Sequence, residues 1–334
     1  MNRGSVWTCH SWRTACIGIF LLLMGGASHA LTTLSLAHIY PPEHPTARSL
    51  QHFSEQVKAR SHGRLLVKVY PQSSMGHQMA ILQSMKNGSL DLAVMSQGNL
   101  SSVVPEANAF GLPFLFPDTE SAWRVLDGAV GRSFAERIEA KGFVVLSFWD
   151  VEVRQLSNSV RPLLKPADVA GLRFRTPPDP LAAEVIAALG GKPMELNFGD
   201  LHDALREGVV DGQENPLVNI RALKLYEVQK YISLTGHKFS IYSFLMTKAA
   251  WGGLSVADRE LVLAAAREAA RFQRTLTQNA ESEAHRELAA RGMRIDKVDP
   301  KPFVAATAKV YDKWYASPIG DFVKNLVKAA RGQQ

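Results

Sequence analysis

Leu34-Ser35-Leu36-Ala37-His38-Ile39, Leu65-Leu66-Val67-Lys68-Val69-Tyr70 and Leu90-Asp91-Leu92-Ala93-Val94-Met95 are three runs rich in strand-forming residues, and what lies between them decides the fold. Between the first two, Ala47, Leu50, Phe53 and Val57 recur at spacings of three and four, the period of one helical face. Between the second and third, a helical stretch from His77 to Lys86 is closed by Asn87-Gly88. The order strand, helix, strand, helix, strand predicts a parallel sheet, because parallel neighbours need a crossover and the crossover is a helix. In open sheets of this kind ligands bind beyond the carboxyl ends of the strands. The loops Tyr40 to His44 and Ser96 to Asn99 are therefore the first candidates for a binding crevice.

Downstream, Phe110 to Pro117 is too apolar for an exposed loop and is expected to pack inside the first domain. A helix from Glu120 to Lys141 and a strand from Val144 to Trp149 lead into a second unit. That unit holds a strand at Leu172 to Arg175, a helix near Pro180 to Leu189, a strand at Pro193 to Leu196 and a helix from Gly199 to Glu207. Phe239 to Met246 reads as a strand that rejoins the first domain, so the chain crosses twice and the paired strands form a hinge. A long helix then opens at Ser255, with Asp258 three residues on as its capping partner, and ends near Ala290 before Gly292. Its later half is mostly polar, as suits a helix lying across both lobes. The expected class is α/β with two lobes, each a mixed sheet flanked by helices: 31–151 with 241–280, and 152–240 with 281–334.

The N-terminus carries Arg3 and Arg13, an apolar run from Ala15 to Met24, and small residues up to Ala27-Ser28-His29-Ala30. That is the pattern of a cleavable secretory signal peptide in residues 1–30, with cleavage after Ala30 and export to the periplasm. The run falls short of the roughly 20 apolar residues that span a bilayer, and no later run supplies them. Both cysteines, Cys9 and Cys16, leave with the leader, which excludes disulfides, thiolate catalysis and Cys-ligated metals in the mature chain. Removing the two leader arginines from the 38 basic residues leaves 36 against 31 acidic ones, a modest net +5 spread along helical segments. A nucleic-acid binder clusters its basic residues into a stripe, and this chain does not.

The motifs of common chemistries are missing: there is no G-x-S-x-G elbow, no H-E-x-x-H helix and no phosphate-binding loop. No histidine pair has metal-ligand spacing on a shared helix, so no metal and no cofactor is expected. What remains is arginine in strand-like surroundings: Arg154 in Val151-Glu152-Val153-Arg154-Gln155, and Arg175 in Gly171-Leu172-Arg173-Phe174-Arg175-Thr176-Pro177. In the second stretch Leu172, Phe174 and Thr176 share one face and the two arginines the other. A guanidinium at a strand end offers a planar fork that matches a carboxylate.

With these residues the chain resembles the solute-binding proteins of TRAP transporters, the tripartite ATP-independent carriers of organic acids, over essentially its whole mature length. Gly171 to Pro177 is similar to the family's G-L-K-x-R-x-P segment, and Val210-Asp211-Gly212-Gln213-Glu214-Asn215-Pro216 to its V-D-G-Q-E-N-P signature. The resemblance implies a periplasmic-binding-protein-like fold and a ligand carboxylate gripped by Arg175 and Asn215, with Arg154 adding positive potential. It further implies that Phe198 packs against the ligand body and that Ser96 and Gln97 line the opposite lobe. Gln97, Asn158 and His237 are candidates to read ligand hydroxyls. Glu152 stands where relatives carry glycine, and Ser96 where sialic-acid binders carry an acid. The implied partners are a small organic anion, either a C4-dicarboxylate or a sugar acid such as a uronate or aldonate, and small and large membrane subunits. The binding protein itself is expected to be a monomer that neither spans the membrane nor contacts nucleic acid. A ligand sensor of the same fold is the runner-up. A periplasmic enzyme using His237 or Glu214 as acid or base is the third reading.

Overall fold

The computed structural model describes residues 31–332, together with Met1 and Gly4. The chain divides into residues 1–30 and a second unit beginning at Leu31. The expected leader and its cleavage site lie outside the described residues, and all that follows concerns the second unit.

The first strands and helices are β1 (Thr32–Ala37), α1 (Pro45–Arg60), β2 (Leu65–Tyr70), α2 (Gln78–Lys86), β3 (Leu92–Ser96) and α3 (Gln97–Leu100). β1 lies between β2 and β3 and is parallel to both, as the alternating pattern requires. α1 begins with Pro45 in its first turn, capped by His44, whose ring accepts from Thr46 N at 3.2 Å. Its predicted face of Ala47, Leu50, Phe53 and Val57 is buried. The 110–117 stretch enters the core as expected, with Phe110, Leu112, Leu115 and Phe116 buried behind a 3₁₀ turn at Pro105–Gly111.

The helix expected over Glu120 to Lys141 is two helices, α4 (Thr119–Leu126) and α5 (Ala129–Glu139). Gly128 takes an extended conformation (φ −94°, ψ −161°) that interrupts the helical path and starts the second one. β4 (Phe143–Asn158) then runs out of the first lobe and on into the second. There follow β5 (Arg173–Thr176), α6 (Pro180–Ala188), β6 (Lys192–Glu195), α7 (Leu201–Arg206), β7 (Gly212–Asn215) and α8 (Leu217–Ala222). β5 is parallel to both β6 and β7, which builds the second lobe on the plan of the first.

β8 (Tyr231–Thr247) returns antiparallel to β4 over its whole length, from Asn158 opposite Tyr231 to Phe143 opposite Thr247. The hinge strands are far longer than the apolar runs Val144 to Trp149 and Phe239 to Met246 suggested. The register shifts between Trp149 and Glu152 and between Arg154 and Leu156, irregularities that bend a strand and re-aim its side chains. The chain closes with α9 (Lys248–Gly253), α10 (Val256–Ala290), β9 (Arg294–Lys297), α11 (Pro300–Tyr315) and α12 (Gly320–Ala330). α10 starts where expected, the Ser255 hydroxyl accepting from Asp258 N at 3.1 Å, and it packs on α1, β4 and α8 in turn.

All nine strands among the described residues share one mixed sheet in the order β2-β1-β3-β8-β4-β7-β5-β6, with β9 beside β8. Three apolar clusters cover it. A large one gathers Leu36, Phe53, Phe110, Phe134, Trp149 and Phe244, and smaller ones form around Leu205, Ile220 and Leu288 and around Phe174, Ile186 and Phe303. Within 281–334, Ala284, Leu288, Met293 and Phe303 pack in the two smaller clusters, whereas Phe322, Val323, Leu326 and Val327 of α12 join the large one, where Phe322 meets Phe110 and Phe134.

Candidate functional site

β1, β3, β5 and β7 all point their carboxyl ends at one place, where a cavity of about 50 Å³ lies between the two halves of the sheet. Ile39 follows β1, Ser96 ends β3, Arg175 and Pro177 lie at the end of β5, and Asn215 ends β7; all line the cavity. Of the two loops singled out by sequence, Ser96 to Asn99 lines it throughout. In the other, Tyr40 stacks on His44 with centroids 4.3 Å apart and braces Phe198 edge-on at 6.1 Å.

Arg175 sits 2% exposed, on the face of β5 that alternation assigned to it. Its strand neighbour Arg173 instead pairs at the surface with Asp211 at 2.7 Å. Arg175 Nε donates to Leu196 O at 2.9 Å, which fixes the plane of the guanidinium. No described carboxylate forms a salt bridge with it. Burial, reinforced by the neighbouring Arg154 charge, pulls its pKa from 12.5 down to about 10. It remains charged at neutral pH, a buried cation in want of an anion.

Arg154 also lines the cavity, but its charge is engaged. Nε and Nη2 donate to the Glu214 carboxylate, Nη1 donates to Ser240 Oγ at 2.7 Å, and Nη2 reaches Asn215 Oδ1 at 3.0 Å. Burial alone pushes the Glu214 carboxyl up, yet the Arg154 charge, with His237 and Lys238, holds it well below the usual carboxylate range. His237 does not line the cavity. It lies behind Glu214, with Nε2 3.5 Å from Oε2 and Nδ1 2.8 Å from Thr235 Oγ1, and burial lowers its pKa despite the carboxylate beside it. Asn158 is likewise absent from the wall. Its Oδ1 accepts from Val160 N and Arg161 N at 2.8 and 2.9 Å, which shapes the turn after β4.

Asn215 connects Arg154 to the frame. Its Nδ2 donates to Gln213 Oε1, and its Oδ1 accepts from Asn219 at 3.2 Å as well as from Arg154. Asn219 Oδ1 in turn faces His44 Nε2 at 2.9 Å, which ties α8 to the loop after β1. The His44 Nδ1 accepts from Thr46 N, so Nε2 carries the proton and the ring is neutral, in line with a pKa that burial lowers to about 3. Across the cavity, Ser96 Oγ donates to Gln78 Oε1 at 2.9 Å. Gln97 braces the hinge: its amide donates to Phe239 O at 3.1 Å and accepts from Ile241 N at 2.8 Å. Phe198 contributes an apolar wall.

Among the wall residues that escaped the sequence reading are an acid and a base, Asp179 and Lys238. Asp179, buried as the cap of α6, lines the cavity and accepts from Lys238 Nζ on β8. Neither residue has a local pattern beyond a cap before Pro180 and a lysine leading an apolar strand; only the fold joins them. Among the described residues no group of three His, Asp or Glu is placed to hold a metal ion.

Comparison with known proteins shows the family and the fold. The family described as DctP, Bacterial extracellular solute-binding protein, family 7, matches residues 36–317. The chain is 43% identical over 303 residues to the uncharacterized protein y4mM of Sinorhizobium fredii, an alignment that takes in 90% of this chain and 55% of that relative. A TRAP periplasmic solute-binding protein from Chromohalobacter salexigens with bound D-glucuronate superposes with a TM-score of 0.86 at 30% identity, over 90% of this chain and all of that one. Another from Sulfurospirillum deleyianum with bound succinate gives a TM-score of 0.84 at 30% identity, over 89% and 98% of the two chains.

Proposed function

The chain belongs to bacterial extracellular solute-binding protein family 7, the solute-binding proteins of TRAP transporters, and we propose that it holds a small hydroxylated organic acid by a salt bridge from Arg175 to the ligand's carboxylate. Members of this family bind substrates rather than transform them, and they serve membrane permeases from the periplasm. In this chain the bound acid passes unchanged to a small and a large membrane subunit, and the protein acts as a monomer released by cleavage after Ala30. No helix among the described residues is long and apolar enough to cross a membrane. The lobes are 31–151 with 241–280 and 152–240 with 281–334, save that α12 packs with the first.

One observation carries the reading of the site: of the three cations on the cavity wall, Arg154 is paired with Glu214 and Lys238 with Asp179, which leaves Arg175 for the ligand. One uncompensated cation suits one carboxylate. Polar groups at Ser96, Asn197 and Asn215 supply partners for hydroxyls, as in a uronate or aldonate. A C4-dicarboxylate remains the second reading, favoured by the succinate-bound neighbour. The pairing of Glu214 with Arg154 speaks against a free acid or base and hence against the enzymatic reading.

Calorimetry on Arg175→Ala tests the assignment. Losing one partner of a buried pair costs about 3 to 5 kcal/mol, or roughly two to three and a half decades of affinity at about 1.4 kcal/mol per decade. Binding within tenfold of the parent protein rules the assignment out.

A further inference from the structure

Asp179 is the one carboxylate among the described residues that line the cavity. It is 3% exposed, and its two oxygens have different tasks. Oδ1 accepts from Leu181 N and Ala182 N, both at 3.1 Å, and so caps α6. Oδ2 accepts from Lys238 Nζ, itself 1% exposed and also on the cavity wall. Lys238 stands opposite Arg154 in the pairing of β4 with β8, so without Asp179 the cavity would present a second cation beside the arginines. On its other side Asp179 meets α3. A Cβ added at Gly98 would lie 2.5 Å from the Asp179 Cβ and 2.9 Å from Oδ2, so the carboxylate is wedged between α3 and Lys238 with little room to turn away.

We propose that Asp179 is a specificity-determining residue: its carboxylate withholds Lys238 from the ligand, accepts hydroxyl donors, and rejects a second ligand carboxylate. Paired with Asp179, Lys238 offers no free charge to a second ligand carboxylate, which would meet an anionic oxygen instead, whereas a hydroxyl can donate to that oxygen. Selection against the wrong ligand then rests on a repulsive element of the wall and not only on contacts to the right one. The inference rests on the Arg175 reading, since it presumes that the first carboxylate is held there.

The experiment is calorimetric titration of the full mature chain with D-glucuronate, D-galactonate and succinate. Asp179→Asn keeps a side-chain oxygen to cap α6 while releasing Lys238. The ratio of sugar-acid to succinate affinity should fall at least tenfold. Lys238→Gln leaves the carboxylate uncompensated and should move the same ratio the other way. Ligand-free melting confirms that each variant is folded. If Asp179→Asn weakens all three acids alike, the residue is only structural and the proposal is overturned. The same holds if the parent protein prefers succinate to both sugar acids. Arg175→Ala, run in parallel, separates the two claims: retained binding there, or no binding of any acid by the parent, overturns the underlying reading instead.

Discussion

Arg154 and Arg175 face the same cavity, and a single carboxylate makes them different. Glu214 lies against Arg154 with 1% of its side chain exposed, so removing it would leave a guanidinium buried without a counter-charge. Glu214→Gln should destabilise the protein by about 3 to 5 kcal/mol, measured by urea unfolding at neutral pH. The pH dependence has a definite sign. The folded-state pKa of Glu214 is depressed below the ordinary 4.5, so its contribution is complete above that value and is lost as the solution becomes more acid. The gap between parent and variant should therefore narrow below pH ~4.5, and a gap that widens in acid would contradict the pairing. Arg175 has no such partner, which is why its own removal should appear in affinity.

At the scale of elements, β7 carries Asn215 into the site only because its first residue is small. Gly212 is flanked by Asn158 on β4 and Phe174 on β5, and a Cβ there would lie 2.6 Å from Ser157 O and 2.8 Å from the Phe174 ring. Gly212→Ala should push the strands apart at a cost of about 1 to 3 kcal/mol and weaken ligand binding by shifting Asn215; equal unfolding midpoints in urea for the two proteins would disprove the close packing. Local pattern predicted such elements well where it was unbroken: β2 has the expected ends, and α10 runs from the Ser255 cap to Ala290. It underestimated β4 and β8, because charged residues such as Arg154 and Lys238 look like strand ends until each is seen buried with a partner from another element. The two arginines stood out because the residue type itself states their chemistry, whereas Asn215 was named only through the resemblance of Val210 to Pro216 to a family signature. Asp179 and Lys238 were not, since their meaning depends on a contact across 59 positions. His237 and Asn158 were misplaced because strand irregularities and a turn direct them away from the cavity.

For the whole molecule, the role proposed for Arg175 couples the buried cation to the hinge. With Arg175 2% exposed and unpaired, closing the lobes over an empty cavity strands a charge, and a ligand carboxylate removes that penalty. Ligand at about a hundred times its dissociation constant should add roughly 2.7 kcal/mol to the folded state, seen as a melting shift of several degrees. Small-angle scattering should show a smaller radius of gyration with ligand than without; an unchanged radius would mean that the hinge does not respond. The same hinge governs how the protein comes to be folded. β3, in the middle of the first half of the sheet, pairs Leu92 with Met246 on a strand made much later in the chain. Until β8 is available β3 has an open edge, and contacts of such sequence separation form slowly. The first half of the sheet therefore cannot be completed until the chain has been made at least as far as Thr247, so its N-terminal strands wait for residues that follow the whole of the second lobe's β5 to β7.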